Sequence, residues 1–111
     1  MTKKRRAKKG YVYLLESVEV YSKDTETAYK YGCTSITPMY RCKVINQSQK
    51  DYKFAPIACF KSDDIYADET KVAKGIIPYP FGLFSEIFVD ADRLGKEQLI
   101  CRFLKIGGCI L

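Results

Sequence analysis

Two apolar stretches near the start of the chain, separated by a short polar stretch, constrain the fold most. Residues 10–20 and 28–34 are both rich in tyrosine and aliphatic residues, with partial alternation of polar side chains in the first. Such stretches are typical of half-buried β-strands. The polar residues 22–27 between them are enough for a wide hairpin. We therefore predict two neighbouring strands, with Gly32 ending the regular part of the second.

A helix and a third strand are predicted next. Thr37 and Pro38 favour a helix start, because threonine can cap the first turn and proline at the first helical position gives up no available hydrogen bond. We expect this helix to extend to about Gln49. Residues 53–61 predict a strand, in which Pro56 indicates an edge position or a bulge.

The second half of the chain predicts two more helices. Asp63 and Asp64 favour a helix over about 63–74 that Gly75 ends. Residues 76–84 contain two prolines and a glycine, which exclude a regular helix. We expect this segment to be either an apolar cover for the core or a contact surface. A last helix is predicted after a cap at 90–92, ending at Gly107 and Gly108.

Composition fits a single folded domain. The chain has 111 residues, of which 47% are hydrophobic, enough for one modest core. We predict an α+β fold with a small, mainly antiparallel three-stranded sheet flanked by helices, in a domain at 10–111 that follows a basic flexible tail at 1–9. No apolar run approaches the roughly 20 residues of a membrane span, so we expect a soluble protein without a membrane partner.

Cysteine usage indicates an intracellular protein. Five cysteines are an odd number, no two have Cys-x-x-Cys spacing, and the chain contains no histidine. These spacings match no common zinc pattern. We therefore expect reduced, mostly buried thiols. The basic N-terminus is not followed by an apolar signal region, so secretion is not expected.

The net charge of +6 comes from the tail. The tail has six cations and no acid. The other 13 basic residues of the chain balance its 13 acids, so residues 10–111 are neutral in sum. A tail of this kind is expected to bind nucleic-acid phosphates, with an affinity that falls steeply with salt. A solubilising or nuclear-targeting role is the alternative. The predicted nucleic-acid contacts are Lys3, Lys4, Arg5, Arg6, Lys8 and Lys9.

Five short motifs occur in an order that resembles a known family. Both Arg41 and Glu69 lie on predicted helices, between strand motifs. Order and spacing resemble the GIY-YIG nuclease superfamily, and above all its phage and large-virus branch, over residues 10 to about 105. The motifs are Gly10-Tyr11-Val12-Tyr13, Lys30-Tyr31-Gly32, Arg41 to Asn46, Glu69, and Glu86-Ile87-Phe88.

The resemblance implies a metal-dependent DNA endonuclease. In that family, the position of Tyr13 carries a general base or water-positioning group, that of Arg41 holds the phosphate, and that of Glu69 anchors Mg²⁺ or Mn²⁺. Lys30 stands where the second tyrosine is expected, with Tyr31 beside it, and would hold a phosphate or neutralise charge. The resemblance predicts that Tyr13, Arg41 and Glu69 converge on one concave face.

Two other functions stay open at this point. One is a module of the same fold that binds DNA without cutting it, and the other is a protein-interaction factor acting through residues 76–84. DNA is the expected partner of the endonuclease and of the binding module. A homodimer is expected if a domain with a single site is to cut both strands. The family branch implies a viral protein in a host cell, or a protein of the nucleoid or nucleus.

Overall fold

An antiparallel sheet with helices on both faces forms the protein. The structure is a computed structural model that describes residues 7–20, 28–48, 52–76, 87–89 and 95–108. These ranges contain four strands and three helices. They are β1 (Gly10–Val20), β2 (Ala28–Thr34), α1 (Pro38–Ser48), β3 (Tyr52–Ser62), α2 (Ile65–Ile76), β4 (Ile87–Val89) and α3 (Lys96–Ile106).

The predicted α+β class with an antiparallel sheet is confirmed. The strand order is β3-β1-β2-β4, so the first strand of the chain is central and pairs antiparallel with both β2 and β3. The three predicted strands form the body of the sheet. The short extended piece Ile87–Val89 adds a fourth strand at the edge of β2.

One face of the sheet packs against α2 and α3. Alternate side chains of a strand point to opposite faces, so Val12 and Leu14 of β1 share a face. Both are fully buried in one cluster with Val72 of α2 and with Leu99 and Phe103 of α3. We call this side the α2–α3 face.

The opposite face packs against α1. Tyr13 and Leu15 alternate with the previous pair along β1 and lie in a second cluster with Cys42 and Ile45 of α1 and Phe54 of β3. Both β1 side chains are at most 2% exposed. We call this side the α1 face, and the two clusters show that each face of the sheet has its own helical cover.

Several predicted boundaries need correction. Gly32 does not end the regular part of β2, since it pairs with Tyr13 inside the strand. Gly75 does not end α2, which continues to Ile76. The N-cap of α3 is Gly95, with no side-chain cap, so α3 begins later than a cap at 90–92 predicts. Residues 90–94 lie outside the described ranges.

Other local predictions are confirmed. β3 is an edge strand, and its register with β1 shifts between Leu14 and Leu15, opposite Ala58 and Pro56. The proline therefore lies both on an edge and beside a bulge, the two positions at which sheets tolerate a residue without an N–H. Gly107 and Gly108 form the turn that ends α3.

None of the helices that the structure describes has the length and hydrophobicity of a membrane span. None of the cysteines among the described residues forms a disulfide, and they range from the buried Cys42 to the exposed Cys59. The expectation of mostly buried thiols therefore fits Cys42 but not Cys59.

Candidate functional site

The predicted catalytic tyrosine is a core residue in this fold. Tyr13 is 2% exposed and lies on the α1 face, among Leu15, Cys42 and Ile45. Its ring crosses over Gly32 of β2, so closely that a Cβ atom on Gly32 would overlap the Tyr13 phenol group. Burial on this face keeps the Tyr13 ring away from bulk water.

The second predicted motif is divided between the two faces. Lys30 pairs with Leu15 and therefore lies on the α1 face, half-buried. Tyr31 is 8% exposed and belongs to the cluster of the α2–α3 face. These two adjacent residues cannot contribute to one surface, because successive strand side chains point in opposite directions.

The predicted convergence of Tyr13, Arg41 and Glu69 on one concave face is not found. Glu69 lies on α2, which covers the face opposite to the one that holds Tyr13. Arg41 is exposed in the first turn of α1, at the end of the sheet. The physical reason is the fold itself, since α1 and α2 follow different strands and pack on opposite faces.

The metal implied by the resemblance has little support from the surrounding side chains. Among the described residues, no three acidic or cysteine side chains come together as a set of metal ligands. Asp68, the neighbour of Glu69, accepts a hydrogen bond from Ser62 and forms an ion pair with Lys71 at 3.7 Å. Glu69 would therefore be the one protein ligand of a Mg²⁺ ion, with water as the other ligands. Tyr13 is buried on the opposite face of the sheet and cannot contribute to a site at Glu69.

A different group of side chains, several of them basic, gathers where β1 begins. Because β2 and β3 both run antiparallel to β1, both end beside the start of β1. The helices that follow these two strands, α1 and α2, therefore begin at the same end of the sheet. Their first turns bring the positive ends of two helix dipoles to this end. The first turn of α1 contains no acid.

Two cavities open side by side at this end of the sheet. The first has a volume of about 260 Å³ and is lined by residues that include Lys8, Ser35 and Arg41. The second has a volume of about 320 Å³ and is lined by residues that include Lys9, Ser35 and Lys61. Ser35 belongs to both linings, so the cavities are neighbours in one surface.

The cations around these cavities are exposed. Lys8, Lys9, Arg41 and Lys61 all face solvent, and none forms an ion pair with another residue that the structure describes. Asp63, in the lining of the second cavity, is the one acid among the residues that line either cavity. We call the four cations together the basic end.

The tail is attached to this surface by its backbone. The carbonyl oxygen of Lys8 accepts a hydrogen bond of 3.0 Å from the N–H of Ile65, the first residue of α2. A Cβ atom on Gly10 would overlap the carbonyl oxygen of Thr34, so glycine is what allows the chain to enter β1 this close to the end of β2. Lys3, Lys4, Arg5 and Arg6 lie outside the described residues, directly before this anchored point.

A third concave feature lies between α1 and the edge strand β3. It is a groove of about 700 Å³ whose lining includes Met39, Lys43, Lys53 and Pro56. Its inner wall is formed in part by Asn46, whose amide group accepts from the N–H of Phe54 at 2.8 Å and donates to its carbonyl oxygen at 2.9 Å. Asn46 therefore bonds the outer edge of β3 as a neighbouring strand would.

The Cys42 thiol lies beneath the same groove. Burial raises the pKa of this thiol above its usual value, and the hydrogen bond from the Asn46 side chain lowers it in part. The protonated thiol donates to the carbonyl oxygen of Phe54 at 3.2 Å. Cys42 thus stays protonated at neutral pH and serves packing rather than nucleophilic chemistry.

Sequence reasoning identified part of the basic end and missed the rest. Lys8, Lys9 and Arg41 were predicted, whereas Lys61 and Ser35 were not. The available signal was the position of Lys61 at the end of a predicted strand, just before a predicted helix cap. The Glu86 motif residue and the aromatic residues at 79–84 lie outside the described residues.

No protein-family model matches the chain, and no curated protein and no solved structure shows significant similarity to it.

Proposed function

We propose that the protein is a DNA-binding module that holds the phosphate backbone at the basic end without cutting it. The observation that carries this proposal is the clustering of Lys8, Lys9, Arg41 and Lys61 around two adjoining cavities. Phosphate oxygens are the partners that exposed lysine and arginine side chains prefer on nucleic acids, and such contacts position a protein on DNA.

The charge distribution of the whole chain supports the same proposal. Residues 10–111 are neutral in sum, because their basic and acidic residues balance. The exposed pair Arg41 and Lys61 is therefore a local feature of a neutral domain, and Lys8 and Lys9 of the basic tail add to it. The hydrogen bond between Lys8 and Ile65 holds the start of the basic tail beside this cluster, so tail and domain would contact one stretch of backbone.

Binding without hydrolysis is favoured over the endonuclease function by the separation of the motif residues. Tyr13 is buried on the α1 face, while Glu69 lies on the helix that covers the other face. A nuclease needs its water-activating group, its metal and its phosphate-holding cation around one phosphate. DNA cleavage remains a prediction from the resemblance, with no support from the arrangement of these side chains.

The binding test compares two matched variants, Arg41→Ala and Arg102→Ala. Both remove one exposed arginine from a helix, but Arg102 lies on α3 and lines none of the cavities of the basic end. Affinity for a labelled duplex is measured by fluorescence anisotropy between about 50 mM and about 200 mM salt. Arg41→Ala should weaken binding and reduce the salt slope by about one, whereas Arg102→Ala should change neither. Equal effects of the two variants would overturn the proposal.

The cleavage test separates binder from enzyme. Supercoiled plasmid is incubated with the wild-type protein and with Glu69→Gln, in Mg²⁺ and in Mn²⁺. We expect binding by both proteins and intact plasmid in every sample. Metal-dependent nicking by the wild type that Glu69→Gln abolishes would establish the endonuclease and refute binding without cutting.

A further inference from the structure

Three large apolar side chains are exposed at the start of α1. Ile36 is 45% exposed, Met39 is 68% exposed and Tyr40 is 59% exposed. In the part of the chain that the structure describes, these are the large hydrophobic residues that face solvent to this extent. They lie within five positions of one another, and we call them the α1 apolar patch.

Packing within the domain does not explain this patch. α1 buries Cys42 and Ile45 against the sheet, so its contact with the core is already made by another part of the helix. Scattered exposed apolar residues are common on protein surfaces, but neighbouring ones mark contact sites more often. Burial of Met39 and Tyr40 against a partner would recover the hydrophobic free energy that folding leaves unused.

The patch is flanked by cations on two sides. Ile36 shares the first cavity of the basic end with Arg41 and Lys8. Met39 shares the groove beside β3 with Lys43. No acid occurs in the first turn of α1, so its dipole also favours an anionic partner.

This combination selects the kind of partner. Flat apolar groups attached to a polyanionic backbone are the unpaired bases of a single strand, and aromatic side chains beside a basic groove bind them by stacking. A regular duplex keeps its base faces stacked inside and exposes only base edges, sugars and phosphates, so no base face is available for stacking on the patch. A neutral protein surface would leave Arg41 and Lys43 without a complementary charge.

We propose that the α1 apolar patch binds unpaired bases of single-stranded DNA, with Tyr40 as the stacking residue. This inference rests on the proposed function, since the basic end would hold the phosphates of the same strand. The protein then prefers single-stranded or locally unpaired DNA over a fully paired duplex. The groove beyond Met39 provides an apolar wall, formed in part by Phe54 and Pro56, for the next base along the strand.

The first test uses Tyr40→Ala and Tyr40→Phe with single-stranded and duplex DNA of one sequence. Tyr40→Ala should weaken single-strand binding about 5- to 150-fold, which corresponds to about 1–3 kcal/mol for one stacked base. Duplex binding should stay unchanged. Tyr40→Phe keeps the ring and should bind as the wild type does, so a loss in that variant would assign the effect to the hydroxyl group and overturn stacking.

The second test uses a fluorescent reporter at the same position. The chain contains no tryptophan, so Tyr40→Trp introduces a single tryptophan that can be excited selectively over the tyrosines. Stacking on a base should quench its emission on addition of single-stranded DNA and leave it unchanged on addition of duplex. Quenching that is equal with both DNAs would contradict selective contact with unpaired bases.

The outcomes distinguish this inference from the function on which it rests. If Arg41→Ala weakens binding but Tyr40→Ala leaves single-strand affinity unchanged, the basic end binds DNA and the patch has no base-stacking role. If neither DNA binds in a salt-dependent manner, the proposed function itself fails. Sedimentation of the wild type and Tyr40→Ala provides the remaining comparison. A dimer that only the wild type forms would assign the patch to a second copy of the chain and overturn the inference.

Discussion

A single side-chain amide organises the outer edge of β3. Asn46 bonds both the N–H and the carbonyl oxygen of Phe54, a residue that is 3% exposed. Open sheet edges are prone to pair with other chains, and a helix residue that occupies the edge groups prevents such pairing at this point. Asn46 belongs to the Arg41–Asn46 motif, so this motif contains one exposed cation and one structural amide.

We expect Asn46→Ala to destabilise the fold by about 1–3 kcal/mol, because the buried N–H of Phe54 loses its amide partner. Chemical denaturation measures the free energy of unfolding. The control is Gln47→Ala, which truncates an exposed neighbour on the same helix and should cost less than about 0.5 kcal/mol. Equal losses in the two variants would show that the amide bonds to Phe54 contribute little.

The pairing of β1 with β2 explains why the second motif ends in glycine. Tyr13 and Gly32 are register partners on the α1 face, and the Tyr13 ring lies over the glycine. Any side chain on Gly32 would occupy the space of this ring. The glycine therefore serves the packing of the central hairpin, which both faces of the core require.

Gly32→Ala should destabilise the protein by at least about 1–3 kcal/mol, because the new Cβ atom lies less than 3.0 Å from three atoms of the Tyr13 side chain. The companion variant is Tyr13→Leu, which removes the ring and creates space. Thermal denaturation of both single variants and the double variant forms a double-mutant cycle. We expect the double variant to lose less stability than the sum of the single losses, and strict additivity would refute the steric explanation.

The molecule as a whole separates its core from its charged surface. Tyr31 and Tyr13 are buried, each in one of the two hydrophobic clusters. The four cations of the basic end are exposed at one end of the sheet. The tail enters at this same end through the hydrogen bond from Ile65 to Lys8. Nucleic-acid affinity should therefore depend on both the tail and the domain.

Deletion of residues 2–6 removes four cations and keeps the anchored backbone at Lys8. We expect duplex affinity to fall and the salt slope to decrease by up to about 3.6, since each neutralised phosphate contributes about 0.9 to the slope. The matched variant keeps the chain length and replaces the same four cations by serine. Both variants should behave alike, and an unchanged slope would exclude the tail from DNA contact.

The sequence determined the order and type of the described strands and helices, the α+β class and the identity of the central hairpin. These features depend on local patterns, such as apolar alternation in β1 and β2 and the cap and proline that begin α1. The charge pattern also located the six tail cations, whereas Arg41 was singled out by the family resemblance. Exact ends, such as the start of α3 at Lys96, were less accessible because tertiary packing decides where a helix begins.

Tertiary structure alone decided which side chains share a surface. The resemblance to the GIY-YIG superfamily placed Tyr13, Arg41 and Glu69 in one predicted site, but the face of a strand and the side on which a helix packs are set by contacts between distant residues. The same contacts brought Lys61 to the cavity that Lys9 lines, although the two residues are far apart in the sequence. Tyr13 on β1 is buried, whereas Lys61 on the paired strand β3 is exposed. The two differ in role because burial, and not residue type, determines what a side chain can contact.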